Sequence, residues 1–122
     1  MSFALAQYRN VRVETATPIQ IVVDLYRGAL RALRQAQALD REGRRGERGL
    51  AISRAHAIVS ELQATLDHTQ APELCAELHR LYDFVIHQIM QSNLQSDMSK
   101  LDGAIAVLER LEGAWAELAG RP

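Results

Sequence analysis

Apolar residues recur every three or four positions through most of the chain, in four stretches separated by polar or proline-containing breaks. That is the spacing of helices with one buried face. The first stretch opens at Thr17-Pro18-Ile19-Gln20, which offers an N-cap hydroxyl, a proline at the first helical position and a capping-box glutamine three residues after the cap. Ile19, Val22, Val23, Tyr26, Leu30 and Leu33 then trace a buried face over about residues 18–40. The run Arg41–Gly49 has three glycines and no apolar residue and is expected to be a solvated loop. Ala51, Ala55, Ile58, Leu62 and Leu66 mark a second helix over about 49–68, with Ile52 and Val59 widening its stripe. Pro72 fits only within a first helical turn. Leu74, Leu78, Leu81, Tyr82, Val85 and Ile89 therefore belong to a third helix over about 72–94. Ser96 or Asp97 caps a fourth, over about 97–119, carrying Leu101, Ala104, Ile105, Leu108, Leu111, Trp115 and Leu118.

Four helices of similar length with short connections favour sequential antiparallel neighbours. The expected fold is all-α: an antiparallel up-down four-helix bundle spanning residues 17–120. Residues 1–16 show no helical stripe, and Val11 and Val13 alternate with Arg12 and Glu14. This stretch is expected to be an extended N-terminal segment that packs on the bundle.

Composition narrows the possible functions. The 122 residues suit one domain with a real core, and 48% hydrophobic against 24% charged argues against disorder. Aromatics are only 5%, so the core must be aliphatic. A formal charge of −1 gives no overall attraction to nucleic acid, and none is expected as a partner. The charge is unevenly split, however. Residues 1–61 carry ten Lys and Arg against six Asp and Glu, whereas 62–122 carry four against nine, as suits two halves that attract each other when folded. The longest uncharged stretch, Phe84–Ser96, is too short and too polar to span a bilayer, so no membrane insertion is expected. One cysteine, Cys75, and an N-terminus without signal-peptide regions point to the cytoplasm.

Candidate chemistry is sparse. Carboxylate-bridged metal bundles need Glu three residues before an inward His, and Ser53, Thr65, Ala76 and Phe84 occupy that position before the four histidines. Cys75, His79 and Asp83 line up at i, i+4 and i+8, but ligands spread over two turns of one helix cannot converge on one ion. They are expected to form a surface stripe. Neither metal nor other cofactor is expected, and no small-molecule substrate or catalytic group is assigned. A histidine phosphotransfer bundle is an alternative because it shares the fold, but Ala55-His56-Ala57-Ile58 lacks the Lys and Gly that follow the reactive histidine there. A generic helical adaptor or dimerisation module is the other alternative.

Leu25-Tyr26 with Gly28-Ala29, Leu81-Tyr82-Asp83, and Leu108, Leu111, Ala114 and Trp115, in this order and spacing, make the sequence resemble the flagellin-specific export chaperone family, FliS, over nearly its whole length. Tyr8, Val11, Val13, Thr15 and Pro18 match the start of the family pattern, and Leu25-Tyr26 with Gly28-Ala29 matches its first-helix Leu-Tyr-x-Gly-Ala. Ile52, Ala55, Ile58, Val59, Glu61, Leu62, Leu66 and Asp67 match the second helix. Leu81-Tyr82-Asp83 and Asn93 match the third, and Leu108, Leu111, Ala114 and Trp115 the fourth. Arg27 stands where the family often carries an acidic residue. The resemblance implies a non-enzymatic cytoplasmic chaperone. It would hold the disordered C-terminal region of flagellin, block premature polymerisation and deliver the subunit to a membrane protein of the flagellar type III export gate.

Apolar residues beyond a single stripe mark where such a client would lie. Ile21 and Leu25 on helix one, Ile52 and Val59 on helix two, and Ile86 and Met90 on helix three are the candidates, joined by Val11 and Val13. Tyr26 and Tyr82 are read as groove-rim residues, and Tyr8, an aromatic outside every helix, as part of a strip covering the groove, which the resemblance implies also touches the gate. Trp115 continues the Leu108-Leu111 stripe and is expected in the core.

Overall fold

A computed structural model describes residues 18–121. It consists of α1 (Pro18–Arg41), α2 (Arg45–Ala64), α3 (Pro72–Leu94), a 3-10 turn (Met98–Lys100) and α4 (Leu101–Ala119). The extended segment expected over residues 1–16, with Tyr8, Val11 and Val13, lies outside the described residues, as does the Thr17 cap.

Each helix packs mainly on two others: α1 on α2 and α4, and α3 on α2 and α4. Side-chain pairs fix the directions. Arg48 meets Asp40 while Arg54 meets Gln35, so α2 runs back along α1. Gln37 meets Asp102 while Arg27 meets Glu112, so α4 also opposes α1. The result is the up-down bundle expected from the spacing, with α1 and α3 on opposite corners. The charge split has a structural counterpart: Arg27 Nε–Glu112 at 2.9 Å and Arg34 Nη2–Glu109 at 2.8 Å bridge the basic and acidic halves.

The second helix begins and ends four residues earlier than the expected 49–68. Two local devices cause the shift. At the end of α1, Gly43 adopts φ +72°, and the chain reverses through N–H bonds from Gly43 to Asp40 and from Arg44 to Leu39. This Schellman closure suits glycine because the left-handed conformation has no Cβ penalty there. The chain is then free to start α2 at Arg45, and Arg48, which looks like a loop residue, turns inward to donate from Nη1 to Asp40 at 2.6 Å. At the far end, Thr65 Oγ1 bonds back to Leu62 O, and Asp67 Oδ1 accepts from the Thr69 N–H and hydroxyl. These local bonds compete with the helix and end it. Leu66 still packs on the core although it lies outside the helix.

The turn after α3 repeats the Schellman pattern with Ser96, at φ 49°, in the position Gly43 fills after α1. Asp97 then caps the 3-10 turn by accepting from Ser99 N at 3.1 Å.

The core runs the length of the bundle and is largely aliphatic. Ala29, Ala32 and Ala36 on α1, and Ala51 and Ala55 on α2, are all buried. Small side chains let this pair of helices approach closely, and α1–α2 is the most extensive helix contact in the molecule.

Candidate functional site

Five of the residues named as binding candidates belong to the interior. Leu25 and Ile52 are buried, Val59 is fully so (0% exposed), and Tyr26 and Tyr82 are buried with them. The wide stripes of α1 and α2 are therefore largely consumed by the core. The tyrosine hydroxyls do find partners, as burial requires, but in each other rather than at a rim. Tyr26 and Tyr82 are hydrogen-bonded, with ring centroids 6.3 Å apart. Burial pushes both phenols above their ordinary range. For Tyr26 this is partly offset by hydrogen bonding with Tyr82 and the Trp115 indole, whereas for Tyr82 the neighbouring Tyr26 adds to the rise. Trp115 itself is partly buried and packs against the core.

The remaining described candidates are Ile21, Ile86 and Met90. Ile21 and Ile86 are partly buried against the core, and Met90 is 49% exposed. Ile86 and Met90, singled out by their spacing, begin a row on α3 that extends to a residue the spacing reading did not name: Leu94 follows at the next i+4 step and is 74% exposed. This row looks toward α2. Gln63 of α2 donates to the Asp83 carboxylate at 2.7 Å and to His79 O at 3.1 Å, and Asp83, Ile86 and Met90 share a face at i, i+3 and i+7.

The opposite shoulder of α3 carries a second apolar set. Leu74 and Phe84 are exposed and Leu81 is half-buried, although the spacing assigned Leu74 and Leu81 to the core. Phe84 lies against α4. A Cβ on Gly103 would stand 3.4 Å from the Phe84 Cζ, so glycine permits the ring to rest on that helix. Leu118 at the end of α4 and Leu50 near the start of α2 are also exposed. Helix α3 thus presents oily surface on both flanks, one beside α2 and one beside α4.

Cys75, His79 and Asp83 are arranged differently from the expected surface stripe. Cys75 is buried, and its Sγ faces Asp67 O at 3.3 Å. His79 Nε2 lies 3.5 Å from Asp83 Oδ2, and its ring meets His68 edge-on at 6.0 Å. Among the described residues no group of three or more His, Cys, Asp or Glu is placed to hold a metal ion. No described helix is long and apolar enough to cross a membrane.

Comparison with known proteins places this architecture. The family profile described as Flagellar protein FliS matches residues 1–122. The chain belongs to the FliS family. FliS relatives include the flagellar secretion chaperone FliSB of Pseudomonas aeruginosa, 33% identical over 117 residues, covering 92% of each chain. The flagellar secretion chaperone FliS of Vibrio cholerae is 30% identical over 122 residues, covering 97% of this chain and 90% of its own. That of Salmonella typhimurium is 31% identical over 116 residues, covering 91% and 86%. FliS proteins are chaperones of flagellar secretion rather than enzymes.

Proposed function

We propose that this chain is a cytoplasmic export chaperone that binds the disordered C-terminal region of flagellin, prevents its premature polymerisation and delivers it to the flagellar type III export gate. The observation that carries the reading is the apolar surface left on both shoulders of α3 in a member of a flagellar secretion chaperone family. A flagellin terminus that forms amphipathic helices in the filament exposes apolar stripes as a monomer, and these stripes need cover. In this reading Ile86, Met90 and Leu94 receive one apolar stretch of the client beside α2, and Leu74, Leu81 and Phe84 receive another beside α4. Burying one such side chain contributes about 1.5–3 kcal/mol, against which the client loses conformational entropy as it folds on the surface. Leu25, Tyr26, Ile52, Val59 and Tyr82 support this surface from within the core, and Ile21, partly buried on α1, is a separate candidate contact away from α3. Tyr8, Val11 and Val13, outside the described residues, are assigned to contact with client or gate.

Titration calorimetry of a flagellin C-terminal peptide against Met90→Asp and Phe84→Asp variants tests the assignment. Both variants are expected to fold and to bind at least about tenfold more weakly, because each places a charge in a buried apolar contact. Undiminished binding by the folded variants would falsify the α3 surface as the client site. A tight homodimer indifferent to flagellin, seen by scattering coupled to size exclusion, would replace the chaperone reading with the adaptor one.

A further inference from the structure

The outer side of α1, diagonally across the bundle from α3, carries a feature that the client surface proposed above leaves unused. Arg27, Arg31 and Arg34 stand at i, i+4 and i+7 and so share one face of the helix. With Leu30, Glu109 and Glu112 they line an open groove of about 380 Å³ along the α1–α4 seam. Arg27 and Arg34 reach across that seam to Glu112 and Glu109. Arg31, between them and exposed, has no carboxylate partner among the described residues. Neither has Arg54 on the adjoining α2, whose guanidinium donates to the Gln35 amide oxygen at 2.9 Å.

We propose that this face docks an acidic segment of a second protein, with a carboxylate held by Arg31 between the two seam ion pairs. A guanidinium is a rigid fork of donors that matches a carboxylate in two-point contact. Arg31 and Arg54 offer two such forks unopposed by any carboxylate among the described residues. The flanking pairs are no obstacle. Exposed Arg–Glu bridges are weak and screened, so Arg27 and Arg34 can exchange their glutamates for incoming carboxylates. No large apolar residue of α1 is exposed, so the contact would be electrostatic, quick to form and sensitive to salt. The shape favours a peptide over an anionic membrane: the surface is a groove, and Glu109 and Glu112 on its wall would repel a sheet of anionic head groups. The inference stands apart from the client reading and holds or fails without it.

The test uses the whole chain and a fluorescently labelled helical peptide bearing Glu at i, i+4 and i+7, followed by anisotropy at low and raised salt. Saturable binding is expected at low salt, weakening steeply as salt rises, and absent for the same peptide with Gln in place of Glu. In the Arg31→Glu, Arg54→Glu double variant, affinity is expected to fall at least about tenfold with the circular dichroism unchanged. Arg31→Gln alone should give a smaller loss in the same direction. The proposal is overturned by absence of binding at low salt, or by equal binding to the Gln peptide or by the charge-reversed chain. Tighter binding to vesicles of anionic phospholipid than to the Glu peptide also overturns it, assigning the face to a membrane.

Discussion

Read as sequence, α1, α2 and α3 each carry two candidate apolar residues beyond the main stripe, yet α3 is the helix that leaves oily side chains in solvent. The difference lies in what faces them. Ala29, Ala32, Ala36, Ala51 and Ala55 bring α1 and α2 together, so Leu25, Ile52 and Val59, off the main stripes, are drawn into the interior. Helix α3 makes less extensive contacts with either neighbour, and Leu74, Phe84, Met90 and Leu94 stay accessible. The lesson is that the number of apolar residues on a helix does not decide which become binding surface. The size of the side chains across the interface does, because it sets how near the two axes come.

The sharpest way to break this contrast is to put one carboxylate on each side of it. Val59→Asp buries a charge at a fully enclosed position and is expected to destabilise the fold by several kcal/mol, on the order of 3–5. Met90→Asp should leave the urea midpoint nearly unchanged while weakening flagellin-peptide binding. If Val59→Asp unfolds no more easily than Met90→Asp, the two regions do not differ as described.

A smaller effect is expected where α1 and α2 are tied together. Arg48 is almost wholly buried and paired with Asp40, so Arg48→Met should lower the unfolding free energy by about 1.5–3 kcal/mol, the range for a hydrogen bond to a charged group. Denaturant unfolding checks it, and a change within error would mean that the pair contributes nothing to the closure of that turn.

The Tyr26–Tyr82 pair joins the corner helices through the middle of the bundle. Replacing either tyrosine by Phe leaves its partner hydroxyl buried, at about 1–2 kcal/mol, whereas the double replacement should fall short of the sum of the two single losses. The pair also predicts a pH dependence. Both phenols are raised in the fold, so above about pH 10, the ordinary value, unfolded tyrosines lose protons that the folded ones keep. Stability is therefore full below that point and declines as pH climbs past it. Alkaline unfolding curves of wild type and the double Phe variant should diverge there, and parallel curves would count against the buried pair.

The mildest prediction is a gain. Ser96 holds a left-handed conformation that disfavours a Cβ, so Ser96→Gly should stabilise by about 1 kcal/mol and raise Tm by a few degrees. No gain would show that the turn after α3 relaxes at no cost.

Much of the bundle was legible because its signals are local. The Thr17-Pro18 start, the Pro72 start and the Asp97 cap each announce a helix, and the stripes after them name most of the core. Helix α2 was misplaced because Arg48 reads as solvated in any local view. Only the Asp40 carboxylate, supplied by another helix, makes its burial tolerable. Tyr26 and Tyr82 were placed at a rim because a buried hydroxyl needs a partner, and a partner 56 positions away is invisible to spacing. Leu74 and Leu81 fit the stripe of α3 yet remain accessible, since how far a neighbouring helix covers a flank depends on packing rather than pattern. One signal was used only in part: Ile86 and Met90 were singled out as lying off the main stripe, but the same four-residue interval leads on to Leu94, which was not.

The indole of Trp115, the one tryptophan in the chain, sits beside the paired phenols of Tyr26 and Tyr82. Excitation absorbed by either ring can pass to the indole while the helices hold them together, and is lost when they part. The molecule therefore carries its own optical gauge of integrity, placed in the interior rather than on the flanks of α3. Loss of a guest and loss of the fold can be told apart by the colour of emitted light, without attaching a dye.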